Sequence, residues 1–354
     1  MSMARVLCIA PSWLGDCVLA RPAVARLGAS GFEVDLLVRG RLGRVLEDLP
    51  GVQAVHATGS GRAARGRAAL RLRGRRYDAA LVLPPSFSSA LVARLAGARL
   101  RVGWGSDRRR ALLTLALADP GRDTHLAAQY VLLAAHLERS LGATASVAAS
   151  DVPDMPRLEA RPPEIDAARQ LQERFGIGAR ATLLVAPGAR FGPAKRYPPD
   201  RFAAAAAAIA GPRALAIVLV GDDSDLVSTR EVAALLPEAI DLAGQTSLAE
   251  LVGLLALSAG VLANDSGTMH LAAALGRPVV GVFGSSNPRW TRPLGPHTAV
   301  VHHPVWCAPC YAPVCRTDFG CMLSLAPERL VEAFSTPPVA ALARPSTADR
   351  SSGR

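Results

Sequence analysis

The chain has 354 residues, half of them apolar, which is more than one hydrophobic core normally supports, so about two domains are expected. A net charge of +11 favours an anionic partner, whether nucleic acid, phospholipid headgroups or a phosphorylated substrate, although aromatic residues at 5% are too sparse for a base-stacking platform. No run of about 18 apolar residues offers a membrane span, and the first residues enter a strand pattern without the features of a secretion signal, so a cytoplasmic protein is expected.

Residues 4–10 form a short apolar run of buried-strand length, 15–27 fit an amphipathic helix, and 32–38 read as a second strand. The segment 59–76 is rich in glycine and arginine; it reads either as a basic loop leading into a helix or as a solvated helix face. A strand is predicted at 78–84 and a helix at 86–96. Alternating strand and helix implies a parallel sheet covered on both faces. Between 143 and 163 small residues, acids and prolines mark a linker. Strands follow at 182–186, 214–220, 260–263 and 278–283, with helices between them, one of them opened by the capping-box spacing of Ser247 and Glu250. Residues from 340 onward read as a disordered tail. The expected division is 1–163 for an N-terminal domain, 164–339 for a C-terminal domain and 340–354 for the tail.

Ligands of open α/β sheets collect beyond the carboxyl ends of strands, so the turns there are the candidate sites. The first holds Pro11, Ser12, Trp13, Leu14, Gly15 and Asp16. It is no dinucleotide fingerprint, because Trp13 and Leu14 stand where a pyrophosphate needs small residues, and hydride transfer is disfavoured. Asp16, at a helix N-terminus, is either a general base or an acid that stabilises the first turn.

The second turn, 187–196, follows a strand and carries Gly188, Arg190 and Lys195. Lys195 is the only lysine among forty basic residues, so a compact ammonium is the point of interest there. The turn reads as a diphosphate site, or as an ordinary surface loop.

The third turn holds Asn264, Asp265, Ser266, Gly267, Thr268, Met269 and His270 before a helix expected at 271–275. Hydroxyls and bare N–H groups at a helix start make an anion site; a simple N-cap would need only one of these residues. His270 falls one turn in and reads as a contact to that anion or as a packed histidine. Asp223, Ser224 and Asp225 mimic an acidic metal motif, but capping accounts for them. Cys307, Cys310, Cys315 and Cys321 cluster without tidy zinc-knuckle spacing. Reduced structural thiols are the favoured reading over a metal site, and no metal is expected.

Together the three turns resemble the signatures of the ADP-heptose:lipopolysaccharide heptosyltransferases, in the forms P-S-W-x-G-D, F-G-P-A-K-R and N-D-S-G-x-M-H that are closest to the heptosyltransferase II branch. The resemblance runs from residue 4 to about 334. It implies the glycosyltransferase-B architecture, an α/β fold of two Rossmann-like domains facing across a cleft. It also implies transfer of L-glycero-D-manno-heptose from ADP-heptose to the heptosylated inner core, with inversion and without a cofactor. On this resemblance Asp16 is the base, with Trp13 and Gly15 beside the acceptor. Lys195 is the diphosphate-binding lysine, and Asp265, Ser266, Gly267 and His270 form the nucleotide turn; from the residues themselves Gly188 and Arg190 are expected at the diphosphate and Thr268 at the nucleotide. Thr268 and Tyr197 depart from the family's common leucine and tryptophan, so neither side chain inherits a role.

The implied acceptor is a phosphorylated glycolipid. Arginines of 59–76 and Arg108, Arg109 and Arg110 would then steer its anionic groups and hold the enzyme against the cytoplasmic face of the inner membrane. Closure of the two domains would complete the site and exclude water. No nucleic-acid partner is expected. The alternatives are a sugar-nucleotide epimerase, a heptosyltransferase of different acceptor specificity, a non-catalytic nucleotide-binding module and a nucleic-acid binder.

Overall fold

Strands buried on both faces are largely apolar along their length, and most of the short runs read from the sequence fit that pattern, with the buried Asp35 of 32–38 an exception. In the computed structural model, which describes residues 3–59, 61–144 and 152–336, they build two six-stranded sheets. The first contains β1 (Arg5–Ile9), β2 (Glu33–Arg39), β3 (Val52–Thr58), β4 (Ala79–Val82), β5 (Leu100–Trp104) and β6 (Leu115–Leu117) in the order β3-β2-β1-β4-β5-β6. The second contains β7 (Thr182–Ala186), β8 (Ala216–Leu219), β9 (Ile240–Asp241), β10 (Gly260–Asn264), β11 (Val279–Phe283) and β12 (Thr298–His302) in the order β12-β11-β10-β7-β8-β9. Counted from its own first strand, each sheet has the doubly wound order 3-2-1-4-5-6, and every strand pair in both sheets is parallel. The chain is thus an α/β protein of two Rossmann-like units, Met1–Pro156 and Arg157–Arg354. The tail expected from 340 lies outside the described residues, as does the middle of the expected linker.

In such a sheet, connections leave in opposite directions from the first and fourth strands, and a crevice opens between their carboxyl ends. These pairs are β1/β4 in the first unit and β7/β10 in the second. All three turns singled out above follow one of those strands: 11–16 follows β1, 187–196 follows β7 and 264–270 follows β10.

Several local expectations need correction. The single helix at 15–27 is two, Leu14–Leu19 and Arg21–Ala29. Pro22 lacks an N–H and therefore sits in the first turn of a new helix, where no donor is needed. The helix expected at 271–275 begins earlier and spans Gly267–Ala274. Most of the basic segment is helical, as Arg62–Leu72. It turns Ala69 and Leu72 into the core while Arg67 and Arg71 stay exposed. Arg65 is held below the usual guanidinium range by burial, and then by the neighbouring Arg39. No described helix is long and apolar enough to cross a membrane.

The capping box at Ser247 is formed: its hydroxyl accepts the Glu250 N–H at 3.3 Å, and Glu250 accepts the Ser247 N–H at 2.7 Å. The helix it opens, Leu248–Leu257, packs on Pro162–Arg174, and Gly253 is the contact point. A Cβ there would lie 2.0 Å from the carbonyl oxygen of Glu164, a backbone atom that yields only if the helices separate. Gly253→Ala is expected to destabilise the second unit by about 1–3 kcal/mol, read as a lower urea midpoint; an unchanged midpoint would show that the helices part at no cost.

Candidate active site

Lys195 ends a short turn, Pro193–Lys195, that closes the loop after β7. Its Nζ lies 2.5 Å from Asp265 Oδ2, with only 17% of the lysine side chain and 5% of the aspartate side chain exposed. Ser286 Oγ, just beyond β11, donates to the same carboxylate oxygen at 2.6 Å. The Phe191 ring centroid is 5.4 Å from Nζ. His270 Nε2 is 4.0 Å from Asp265 Oδ1. The second unit thus gathers a partly buried lysine paired with a buried aspartate, a serine and a histidine at the β7/β10 crevice. A lysine ammonium has three protons, so donors remain on Lys195 beyond the one engaged by Asp265.

Beside this pair the helix Gly267–Ala274 begins. Ser266 is its N-cap residue with extended backbone (φ −146°, ψ 168°), yet its side chain makes no capping bond. Its buried Oγ has no hydrogen-bond partner among the described residues. An ordinary hydroxyl cap is therefore absent. The first-turn N–H groups and the positive end of the helix dipole are directed out of the helix start, the arrangement that suits an anion.

Gly188 and Arg190 face a different neighbour. A Cβ on Gly188 would lie 2.0 Å from Asp225 Oδ1, so this glycine makes room for a carboxylate of the chain itself. Burial, first, pushes the Asp225 carboxyl up, while the Asp222 N–H it accepts opposes that. Arg190 pairs with Asp222 at 3.5 Å, with both side chains more than half exposed, an ion pair of small energetic weight. Asp223, Ser224 and Asp225 form a turn capped by Asp222, as their capping reading requires.

In the first unit Asp16 occupies the first turn of Leu14–Leu19, after β1, and Trp13 is its N-cap residue, 50% exposed. Gly15 lies between them. The charge on Asp16 is felt by its neighbours. Burial and then Asp16 push the Cys17 thiol and the Tyr130 phenol up.

The structure corrects the reading of Arg108, Arg109 and Arg110 as three steering charges. Arg109 is fully buried, donating to the Trp104 carbonyl at 2.7 Å, to the Pro84 and Ser86 carbonyls and to Ser89 Oγ. Its pKa is pushed down to about 10 by burial, with Asp107 and Asp119 opposing. Only Arg108 and Arg110 of the three are exposed.

Cys307, Cys310, Cys315 and Cys321 line one cavity together with Ala194 and Ser285, and all six cysteines are unpaired thiols. Among the described residues no group of three or more His, Cys, Asp or Glu side chains is arranged to hold a metal ion. The same segment braces the lysine loop: the Pro313 carbonyl accepts the Ala194 N–H at 3.0 Å. Gly192 (φ +152°) lies so close that a Cβ would fall 2.3 Å from that oxygen. Positive φ and close approach both require glycine there.

Sequence reasoning missed Ser286 and Asn264 as contributors. Ser286 lies in a small polar turn after β11, and the rule that flagged the other strand ends applies to it. Asn264 was in view only as the first letter of a motif.

Residues 65–319 match glycosyltransferase family 9 (heptosyltransferase), most of the chain, so the protein belongs to that family and is a glycosyltransferase. It is 32% identical over 312 residues to lipopolysaccharide heptosyltransferase 2 of Salmonella typhimurium, covering 84% of this chain and 87% of that protein. It is 31% identical over 314 residues to the Escherichia coli lipopolysaccharide heptosyltransferase 2, with the same coverage. Its fold is similar to the solved structure of E. coli ADP-heptose lps heptosyltransferase II, with a TM-score of 0.76 and 28% identity, over 96% of this chain and 98% of that one.

Proposed function

We propose that this glycosyltransferase moves L-glycero-D-manno-heptose from ADP-heptose to the heptosylated inner core of lipopolysaccharide, with inversion. The N-terminal unit takes the acceptor and the C-terminal unit the sugar nucleotide. The observation that carries the reading is the Lys195–Asp265 pair beside the uncapped start of Gly267–Ala274, at the crevice of a doubly wound sheet. That combination suits an anionic group such as a diphosphate.

In the reaction the acceptor hydroxyl oxygen bonds to the anomeric carbon while the bond from that carbon to the diphosphate oxygen breaks. ADP leaves with the electron pair. Lys195 and the N–H groups at Ser266, Gly267 and Thr268 stabilise the negative charge that develops on ADP, the kind of preorganised electrostatic contribution that is usually largest in catalysis. Asp265 holds the ammonium in place with Ser286, and His270 borders the same carboxylate. Asp16 accepts the proton of the acceptor hydroxyl, and Trp13 and Gly15 flank the acceptor. Gly188 shapes the loop, and Arg190 adds positive charge at its outer edge.

The exposed arginines Arg67, Arg71, Arg73 and Arg76 attract the phosphates of the acceptor and the anionic lipid around it. They favour peripheral contact with the cytoplasmic face of the inner membrane.

Incubating the enzyme with a panel of ADP- and UDP-sugars, with and without a heptosylated core acceptor, tests this directly. Nucleotide release is expected from ADP-heptose and only when acceptor is present. Conversion of the donor sugar without acceptor would indicate an epimerase instead, and steady release without acceptor a hydrolase.

A further inference from the structure

Asn264 is the last residue of β10 and is fully buried. Buried amides must find partners for both the oxygen and the NH2, and Asn264 finds them on two separated points of one loop. Its Nδ2 donates to the Pro187 carbonyl at 2.7 Å, at the first residue after β7. Its Oδ1 accepts the Tyr197 N–H at 3.0 Å, two residues beyond Lys195. The side chain therefore ties together the beginning and the end of the segment that carries Lys195. The next residue, Asp265, takes the ammonium itself.

The end of the loop is anchored from the other side too. Tyr197 is buried, stacks edge-on against Phe202 with centroids 5.2 Å apart, and donates its hydroxyl to the Leu325 carbonyl at 2.7 Å. With Tyr197 fixed to the core, a clasp at Asn264 sets how far Lys195 projects from the sheet. It also places Lys195 in register with the helix start that follows in the same turn.

We infer that Asn264 is a positioning residue for donor binding: by clasping both ends of the 187–197 loop it presents Lys195 to the diphosphate. It touches neither the donor nor the acceptor and acts only through Lys195. This rests on Lys195 being the diphosphate ligand, and the test separates the two claims.

The experiment is a calorimetric double-mutant cycle with ADP as the probe, using wild type, Asn264→Ala, Lys195→Ala and the double variant. Asn264→Ala is expected to weaken ADP binding about tenfold, from the loss of two buried hydrogen bonds that hold the loop. In the Lys195→Ala background the same change is expected to cost less than about twofold, because the group it positions is gone. A purely structural asparagine would cost the same factor in both backgrounds, and that result overturns the inference. So does unchanged ADP affinity in Asn264→Ala when Lys195→Ala is weakened. Should Lys195→Ala bind ADP as wild type does, the donor-site reading falls and the inference with it. If the alanine variant does not fold, Asn264→Asp serves in the same cycle. It keeps the shape and the acceptor for the Tyr197 N–H but sets an oxygen against the Pro187 carbonyl.

Discussion

Lys195→Ala is expected to lower kcat/KM for ADP-heptose by about 10²–10³-fold, the usual effect of removing one preorganised donor to a developing negative charge. The ammonium pairs with Asp265, whose same carboxylate oxygen also accepts from Ser286. On the proposed mechanism its loss removes charge stabilisation from the leaving diphosphate. It also leaves Asp265, whose side chain is 5% exposed, without its counter-ion. Removing one partner of a buried pair costs about 3–5 kcal/mol, so a lower melting temperature is expected alongside the kinetic defect. Lys195→Arg should not restore full activity, since a planar guanidinium fork differs in shape and hydration from the compact ammonium that pairs with Asp265. The chain has settled on arginine for every other basic position, and retention of lysine at this one fits that geometry. Steady-state kinetics over a donor series, with a melting curve for each variant, checks both effects; wild-type kcat/KM in Lys195→Ala would remove the residue from the donor site.

Asp16→Asn is expected to reduce kcat by about 10²–10⁴-fold, the range general-base catalysis supplies, while ADP affinity stays within about twofold, since the change leaves the Lys195 site intact. The substitution is isosteric and keeps a polar group in the first turn of Leu14–Leu19, so the fold should persist. On the proposed mechanism, loss of the carboxylate removes the proton acceptor. The informative pair of measurements is kcat with saturating acceptor and the dissociation constant for ADP. Near-normal turnover would reduce Asp16 to a stabiliser of its helix.

Much of the fold was legible because strands covered on both faces appear as unbroken apolar runs. The stretch 182–186 is β7 residue for residue, and 260–263 differs from β10 only by Asn264. Edge strands gave no such signal: β6 and β9 have three and two residues, too short to show any period. The half-exposed β3, with burial alternating irregularly, has neither a continuous run nor a clean alternation.

The site was legible as positions but not as partners. A turn after a strand can be found from local pattern alone, and doubly wound topology then places it at the crevice. Which side chains meet there depends on contacts that are remote in sequence. Asn264 reaches across 77 residues to Pro187 and 67 to Tyr197, and Ser286 joins Asp265 only because β10 and β11 are neighbours. Arg109 shows the converse. Three consecutive arginines look uniformly solvated in sequence, yet one turns inward to satisfy four backbone and side-chain acceptors. Gly188 stood in the sequence as part of a diphosphate turn, and its closeness to Asp225, which leaves no room for a Cβ, shows only in three dimensions.

The most direct test of the proposed activity presents ADP-heptose with two core acceptors, one already carrying a heptose and one without, and follows product mass. The account predicts addition of a single heptosyl group to the heptosylated acceptor, with one ADP released for each sugar transferred. Addition to the heptose-free acceptor alone, or ADP release with neither acceptor extended, would contradict it.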